Sequence, residues 1–102
     1  MANVTVLMGA RPYVLTDQEA RRLAELLRAA FADENFDEAS AALRLAWEFE
    51  LAADGDLDEP VEIGWPEAEA VTRALPEVTA HAYEGLDVLL QAAKRFADGP
   101  SE

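Results

Sequence analysis

The sequence predicts a helix-rich α+β domain in which a β-hairpin and two helices precede a short strand and two more helices. Three observations support this class. Three of residues 4–7, Val4, Thr5 and Val6, are β-branched, which favours a strand. Residues 16–19 have a helix-capping pattern, and residues 77–97 carry apolar side chains at helical spacing. A chain of 102 residues is the size of one domain, expected over 1–97, with 98–102 as a flexible tail.

Two strands are expected near the start of the chain. Residues 4–7 form the first and residues 12–15 the second. Pro12 stands at the start of the second strand, where a missing N–H is tolerated. Gly9 lies between the strands, where a turn needs glycine. The pattern therefore predicts a β-hairpin.

Two helices should follow the hairpin. Thr16 and Glu19 have the spacing of a capping box, in which each side chain bonds to the other residue's backbone N–H. The first helix is therefore expected over 17–32. The second is expected over 37–53, where the apolar residues cover a wide arc at about 100° per residue. Such a helix is central in the fold or buried on two sides.

The second half of the chain predicts a strand and two helices. Residues 60–63 form the strand. Pro66 suits the first turn of a helix, because its fixed φ fits there. Pro76 ends that helix, since the residue before a proline is biased away from helical conformation. A last amphipathic helix is expected over 77–97, with Gly85 inside it as a close packing contact.

The two halves align at a spacing of 48 residues, so that Glu19 corresponds to Glu67. We therefore predict a strand–helix–helix internal repeat over about 12–53 and 60–97. The identities are few, and chance agreement between two amphipathic patterns is the competing explanation. In a true repeat, the crossover of two helices is long enough for the strands of the two halves to run parallel.

The charge balance bears on the class of partner. The chain has 21 Asp and Glu against 8 Lys and Arg, a formal net charge of −13. A protein that binds nucleic acid needs a basic patch to displace counterions from phosphates. Anionic membrane surfaces are disfavoured for the same reason. We therefore expect no nucleic-acid partner and no membrane association, whereas a basic protein partner and plain solubility remain open.

The composition also bears on location. The chain has no cysteine, so it has no disulfide framework, no thiolate metal site and no cysteine nucleophile. Its apolar run at 4–8 is too short for the core of a signal peptide. No window of about 20 residues is free of charge. We therefore expect a cytoplasmic protein.

The sequence offers only weak candidates for chemistry. Asp54, Asp56 and Asp58 match three positions of a calcium loop, with Glu62 nearby. The glycine and the closing glutamate of such a loop are missing. His81 is the only histidine, and no serine stands in the setting of a nucleophile. We therefore expect no catalytic residue, no cofactor and no metal site beyond these four weak ligands. These expectations favour a protein that is not an enzyme.

The wide apolar arc of the second helix carries the leading functional hypothesis. Trp47 and Phe49 are two positions apart, so they face different directions on a helix. We expect Leu45, Trp47, Phe49 and Leu51 to form an interface. The chain would then be a small, acidic, non-enzymatic protein-interaction module that self-associates as a dimer, with another protein as the alternative partner. The alternative is a helix sandwiched in the core, which buries both aromatic residues.

Two other functions remain open. Glu50 lies within the same apolar arc, and with Trp65 and Tyr83 it would line a ligand-binding or catalytic pocket. The second is an acidic mimic of nucleic acid that binds a basic protein. It requires the acids at 33–38 and those at 54–62 to converge in space.

Overall fold

The structure, a computed structural model, describes residues 3–98 apart from the side chains of Phe36 and Glu38. The predicted α+β class is confirmed, and residues 99–102 of the predicted tail lie outside the described part. The elements are β1 (Asn3–Met8), β2 (Arg11–Thr16), α1 (Asp17–Ala30), α2 (Phe36–Ala53), β3 (Val61–Ile63), α3 (Trp65–Ala74), α4 (Glu77–His81) and α5 (Glu84–Ala97).

The hairpin forms as predicted, and each strand is slightly longer than expected. β1 and β2 pair antiparallel in a register that runs from Asn3–Thr16 to Met8–Arg11, which leaves a two-residue loop. Gly9, the first loop residue, has a φ of 64°, a left-handed value that glycine adopts without steric cost. A positive φ at this position is what a type II′ hairpin turn requires.

β3 lies beside β1, so the strand order is β2-β1-β3. It pairs parallel with β1, from Val6–Val61 to Met8–Ile63. β2 and β3 therefore occupy opposite edges and run antiparallel, which corrects the expectation of parallel strands in the two halves. This orientation follows from the hairpin. β2 runs antiparallel to β1, and the chain then passes through α1 and α2 to the opposite edge, where β3 runs parallel to β1.

One face of the sheet is buried and the other is open. On β1, Val4, Val6 and Met8 are buried, whereas Thr5 is exposed. β2 and β3 show the same alternation, with Leu15 at its buried position on β2. The helices cover the buried face, where α2 packs on β3 and α5 packs on β2. The domain is therefore a two-layer arrangement of helices on a sheet.

The helix predicted over 77–97 is two helices, which corrects the expected element count. α4 ends at His81, and α5 begins after Tyr83, whose backbone is extended (φ −132°, ψ 118°). The N–H of Gly85 donates to Glu19 Oε2 at 2.9 Å. In a continuous helix this N–H would bond to the carbonyl four residues earlier, so the contact with Glu19 replaces it. A Cβ at Gly85 would collide with this carboxylate, which confirms the predicted close contact.

The capping glutamates of α1 and α3 occupy corresponding positions in the two halves. Glu19 Oε1 accepts from the N–H of Thr16 at 2.8 Å, and Thr16 Oγ1 accepts from the N–H of Glu19 at 3.1 Å. The predicted capping box is thus confirmed. Glu67 Oε1 accepts in the same way from the N–H of Gly64 at 2.9 Å. Both glutamates are more than nine-tenths buried. The repeat as a whole stays a prediction.

The free edges of the sheet have few available N–H groups. Bonded and non-bonded pairs alternate along the hairpin, so the N–H groups at 12, 14 and 16 point away from β1. Pro12 has no N–H, and the capping glutamate of α1 holds that of Thr16. Val14 therefore presents the remaining N–H on this edge of β2. At the other edge, Pro60 precedes β3, and the capping glutamate of α3 holds the N–H of Gly64.

Candidate functional site

The four residues of α2 that were predicted to form an interface lie on two different faces. Leu45 and Phe49 are 0% exposed in the core, so the expectation that they contact a partner is wrong for the folded chain. Trp47 is 56% exposed, and Leu51 is partly buried. The cause is helical spacing, because residues four apart share a face and residues two apart do not.

Trp47 and Leu51 line a groove together with Leu57 from the loop between α2 and β3. This part of the groove has a volume of about 290 Å³. A smaller cavity of about 160 Å³ adjoins it, shares Leu57, Glu59 and Pro60, and reaches β1. We call the two cavities together the Trp47 groove. The remaining residues that line its larger part are Arg44, Glu48 and Glu62.

The one cation that lines the larger part of the Trp47 groove is already paired. Arg44 Nη1 donates to Glu48 Oε2 at 2.5 Å, and its Nη2 donates to Glu67 Oε2 at 2.5 Å. These hydrogen bonds, chiefly the one to Glu67, raise the pKa of Arg44. Glu59 and Glu62 have no cationic partner within residues 3–98. The groove thus combines an exposed indole and two leucines with unpaired carboxylates.

The acidic loop after α2 does not assemble a metal site. Within residues 3–98, no group of three or more His, Asp or Glu side chains is arranged to hold a metal ion. Asp54 turns toward α1, where Arg21 Nη2 donates to its Oδ1 at 2.6 Å. Glu62 lines the larger part of the Trp47 groove and Asp58 the smaller part, while Asp56 is exposed. The four weak ligands predicted from the sequence therefore do not converge.

The structure does not bring Glu50, Trp65 and Tyr83 together. Arg28 holds Glu50 through two hydrogen bonds, from Nε to Oε2 at 3.1 Å and from Nη2 to Oε1 at 2.6 Å. Trp65 is 54% exposed, and its Nε1 donates to the carbonyl of Ala97 at 3.3 Å. Tyr83 precedes the opposite end of α5, whose 14 residues span about 20 Å. The predicted common pocket is therefore wrong.

The acids required for a nucleic-acid mimic are also apart. Those at 33–38 precede or begin α2, and those at 54–62 follow it. The 18 residues of α2 separate the two groups by about 27 Å. Glu34 is in addition paired with Arg73 at 3.3 Å. The convergence on which this alternative depends is not present among the described side chains.

His81 joins the two helices at the break before α5. Its Nδ1 lies 3.0 Å from Asp87 Oδ1. This oxygen is buried and accepts no hydrogen bond within residues 3–98, from His81 included. The contact is a charge pair when His81 is protonated. Its place across the α4–α5 break gives it a structural role.

Two further cavities were not anticipated from the sequence. One, of about 350 Å³, lies between β2 and the start of α5 and includes Glu19, whose carboxylate already accepts from two backbone N–H groups. The other, of about 770 Å³, lies between α2, α3 and the end of α5. Its Arg73 pairs with Glu34 and lies 4.6 Å from the centroid of the Phe31 ring. Glu19 and Arg73, the polar side chains with the most contacts in these two cavities, are thus committed to contacts within the chain.

Sequence reasoning also missed Leu57 as a wall of the Trp47 groove. The available signal was a single large apolar residue within an acidic loop, Asp-Gly-Asp-Leu-Asp-Glu. An apolar side chain in such a loop usually packs on a neighbouring element. Here it is partly buried against the core, and it faces the cavity beside Trp47.

Comparison of the chain with family models, with curated proteins and with solved structures found no match. None of the helices formed by residues 3–98 has both the length and the apolarity needed to cross a membrane.

Proposed function

We propose that this chain is a non-enzymatic protein-interaction module that binds its partner through the Trp47 groove. One observation carries the proposal. Trp47 is 56% exposed, although Leu45 and Phe49 on the same helix are fully packed. Exposed tryptophans beside apolar walls are frequent anchors of protein interfaces. The residues expected to contact the partner are Trp47, Leu51 and Leu57.

The other exposed apolar side chains support this choice less well. The indole of Trp65 is held to the carbonyl of Ala97 at the end of α5. Val78 is exposed on the short helix α4, and scattered exposed residues of this kind are ordinary. Val14 and Val88 line a cavity of about 350 Å³ that has no tryptophan. The Trp47 groove alone among these combines a large aromatic residue with neighbouring apolar walls.

The charge of the groove bears on the choice between a second copy and a different protein. In a two-fold contact the same surface meets itself, so the unpaired carboxylates of Glu59 and Glu62 would face their own counterparts. Like charges across an interface are unfavourable. We therefore propose a different protein as the partner, and a dimer is the competing outcome. The proposed location of both proteins is the cytoplasm.

The test compares Trp47→Ala with Val88→Ala, a matched control that truncates another exposed apolar residue. Light scattering coupled to size exclusion first gives the mass of each variant. Proteins captured from the native host by the wild-type chain are then quantified for both variants. We expect Trp47→Ala to reduce capture of a specific partner about tenfold or more, and Val88→Ala to leave it unchanged. Equal capture by all three chains, with unchanged mass, would contradict the proposal.

A further inference from the structure

We infer that the Trp47 groove accepts a basic segment of a partner protein, with an arginine or lysine side chain over Trp47 and beside Glu59 and Glu62. This inference rests on the proposed function and specifies the chemistry of the partner. It depends on the distribution of ion pairs, on the aromatic face of Trp47 and on the continuity of the groove.

The ion pairs leave the groove unneutralised. Elsewhere in residues 3–98 most cations are bound to carboxylates within the chain. The pairs are Arg21–Asp54, Arg22–Glu25, Arg28–Glu50, Arg73–Glu34 and Lys94–Glu77. Three carboxylates, those of Glu48, Glu59 and Glu62, line the larger part of the groove together with one guanidinium, that of Arg44. This guanidinium also bonds to Glu67, which lies outside the groove. Glu59 and Glu62 therefore remain available to an incoming cation.

Trp47 adds a second attraction for the same group. Its exposed indole offers a π face, and a cation over tryptophan is attracted by the ring quadrupole. Arginine suits the position best, because its planar guanidinium stacks on aromatic rings and donates two parallel hydrogen bonds to a carboxylate. Leu51 and Leu57 lie beside the indole, where they would contact the aliphatic stem of the same side chain.

The Trp47 groove extends beyond the position proposed for the first basic side chain of the partner. Its smaller part shares Leu57, Glu59 and Pro60 with the larger part and adds Asp58. A carboxylate is thus present along both parts. This arrangement fits an extended segment with more than one basic residue, separated by apolar or small residues.

The test uses Trp65→Phe, in which Trp47 is the sole tryptophan and its fluorescence reports on the groove. The probe is a short synthetic peptide with spaced arginines and leucines, and the control peptide has glutamate in place of each arginine. We expect the arginine peptide to bind and the glutamate peptide not to bind. Calorimetric titration of the wild-type chain with the same peptides gives the comparison without the Trp65 substitution.

Charge-matched variants separate a built site from general attraction to an acidic protein. Glu59→Gln with Glu62→Gln removes two charges in the groove, and Asp33→Asn with Glu69→Gln removes two charges outside it. We expect the first pair to weaken binding about tenfold and the second pair less than about twofold, because screened charges outside contact distance contribute little. Equal weakening by both pairs would overturn the inference.

The outcomes distinguish this inference from the proposed function. If the arginine peptide fails to bind while Trp47→Ala still loses a captured partner, the groove is an interaction surface and the basic segment is wrong. If Trp47→Ala converts a dimer into a monomer, the occupant is a second copy, which also overturns the inference. If Trp47→Ala changes neither capture, mass nor peptide binding, both fail.

Discussion

Glu19 Oε2 accepts a hydrogen bond from the N–H of Gly85 at 2.9 Å, across a sequence separation of 66 residues. The other oxygen of the same carboxylate caps α1 through Thr16. One buried side chain therefore holds the starts of α1 and α5, where the positive ends of both helix dipoles favour a negative charge.

Gly85→Ala tests this contact. In an unconstrained helix interior, replacing glycine by alanine stabilises by about 0.5–1 kcal/mol. Here the added Cβ would meet the Glu19 carboxylate, which is buried and cannot move aside without losing its bonds to two backbone N–H groups. We therefore expect a loss of about 1–3 kcal/mol in the free energy of unfolding. Urea denaturation measures it. In a Glu19→Ala background the same substitution should be neutral or stabilising, because the colliding group is gone. Stabilisation in both backgrounds would contradict the contact.

Phe49 and Trp47 should separate stability from binding. Phe49 is fully buried, and Phe49→Ala is expected to lower the free energy of unfolding by about 3–5 kcal/mol. Trp47→Ala should lower it by less than about 1 kcal/mol, because the side chain is more than half exposed. Chemical denaturation of both variants checks this. A large loss for Trp47→Ala would show that its main role is packing.

Glu77 and Lys94 predict a pH dependence. Lys94 Nζ donates to Glu77 Oε1 at 2.6 Å, and this bond holds the pKa of Glu77 below its ordinary value. A carboxyl whose pKa falls on folding stabilises above its unfolded pKa, and that contribution is lost as pH falls through the folded value. Lys94→Gln should raise the pKa of Glu77 toward normal, measured by NMR titration of its carboxyl carbon.

Arg95→Gln is the control for that titration, because it removes a neighbouring charge on α5 that forms no ion pair within residues 3–98. We expect it to leave the pKa of Glu77 nearly unchanged. Equal shifts in both variants would mean that the general field of α5, and not the Lys94 hydrogen bond, lowers this pKa.

His81 should contribute to the joint between α4 and α5. Its Nδ1 lies 3.0 Å from Asp87 Oδ1 without a hydrogen bond between them, and both side chains are more than a third exposed. Exposed charge contacts of this kind contribute little, so we expect His81→Ala to lower the free energy of unfolding by about 0.2–1 kcal/mol. Val78→Ala on the same helix, at an exposed position, should have no effect in thermal unfolding. Equal free energies of unfolding for the two variants would show that the contact between His81 and Asp87 does not stabilise the fold.

The elements with local signals were predictable from the sequence. The hairpin follows from β-branched residues on either side of Gly9, and α1 follows from the pairing of Thr16 with Glu19. The break before α5 was not predictable, because the apolar stripe continues through it. The contact that fixes the break joins Gly85 to Glu19, and no local window contains both residues.

The site was predictable only in outline. The wide apolar arc indicated that two faces of α2 are in contact with other groups, and the spacing of Trp47 and Phe49 places these two side chains on different faces. The sequence pattern did not indicate which of the two faces packs in the core. That choice depends on how α2 packs on β3 and α1. Leu57 and the unpaired carboxylates join Trp47 only through the fold of the loop that follows α2.

The sheet edges bear on how this chain behaves when many copies are present. An open strand edge is a template onto which further strands add, and repeated addition produces fibrils and aggregates. On the β2 edge only Val14 presents an N–H, while β3 is three residues long and lies between Pro60 and a capped Gly64. The edges of β2 and β3 therefore offer a second copy few N–H groups onto which a strand could add, which is the arrangement that natural sheets use against edge-to-edge aggregation.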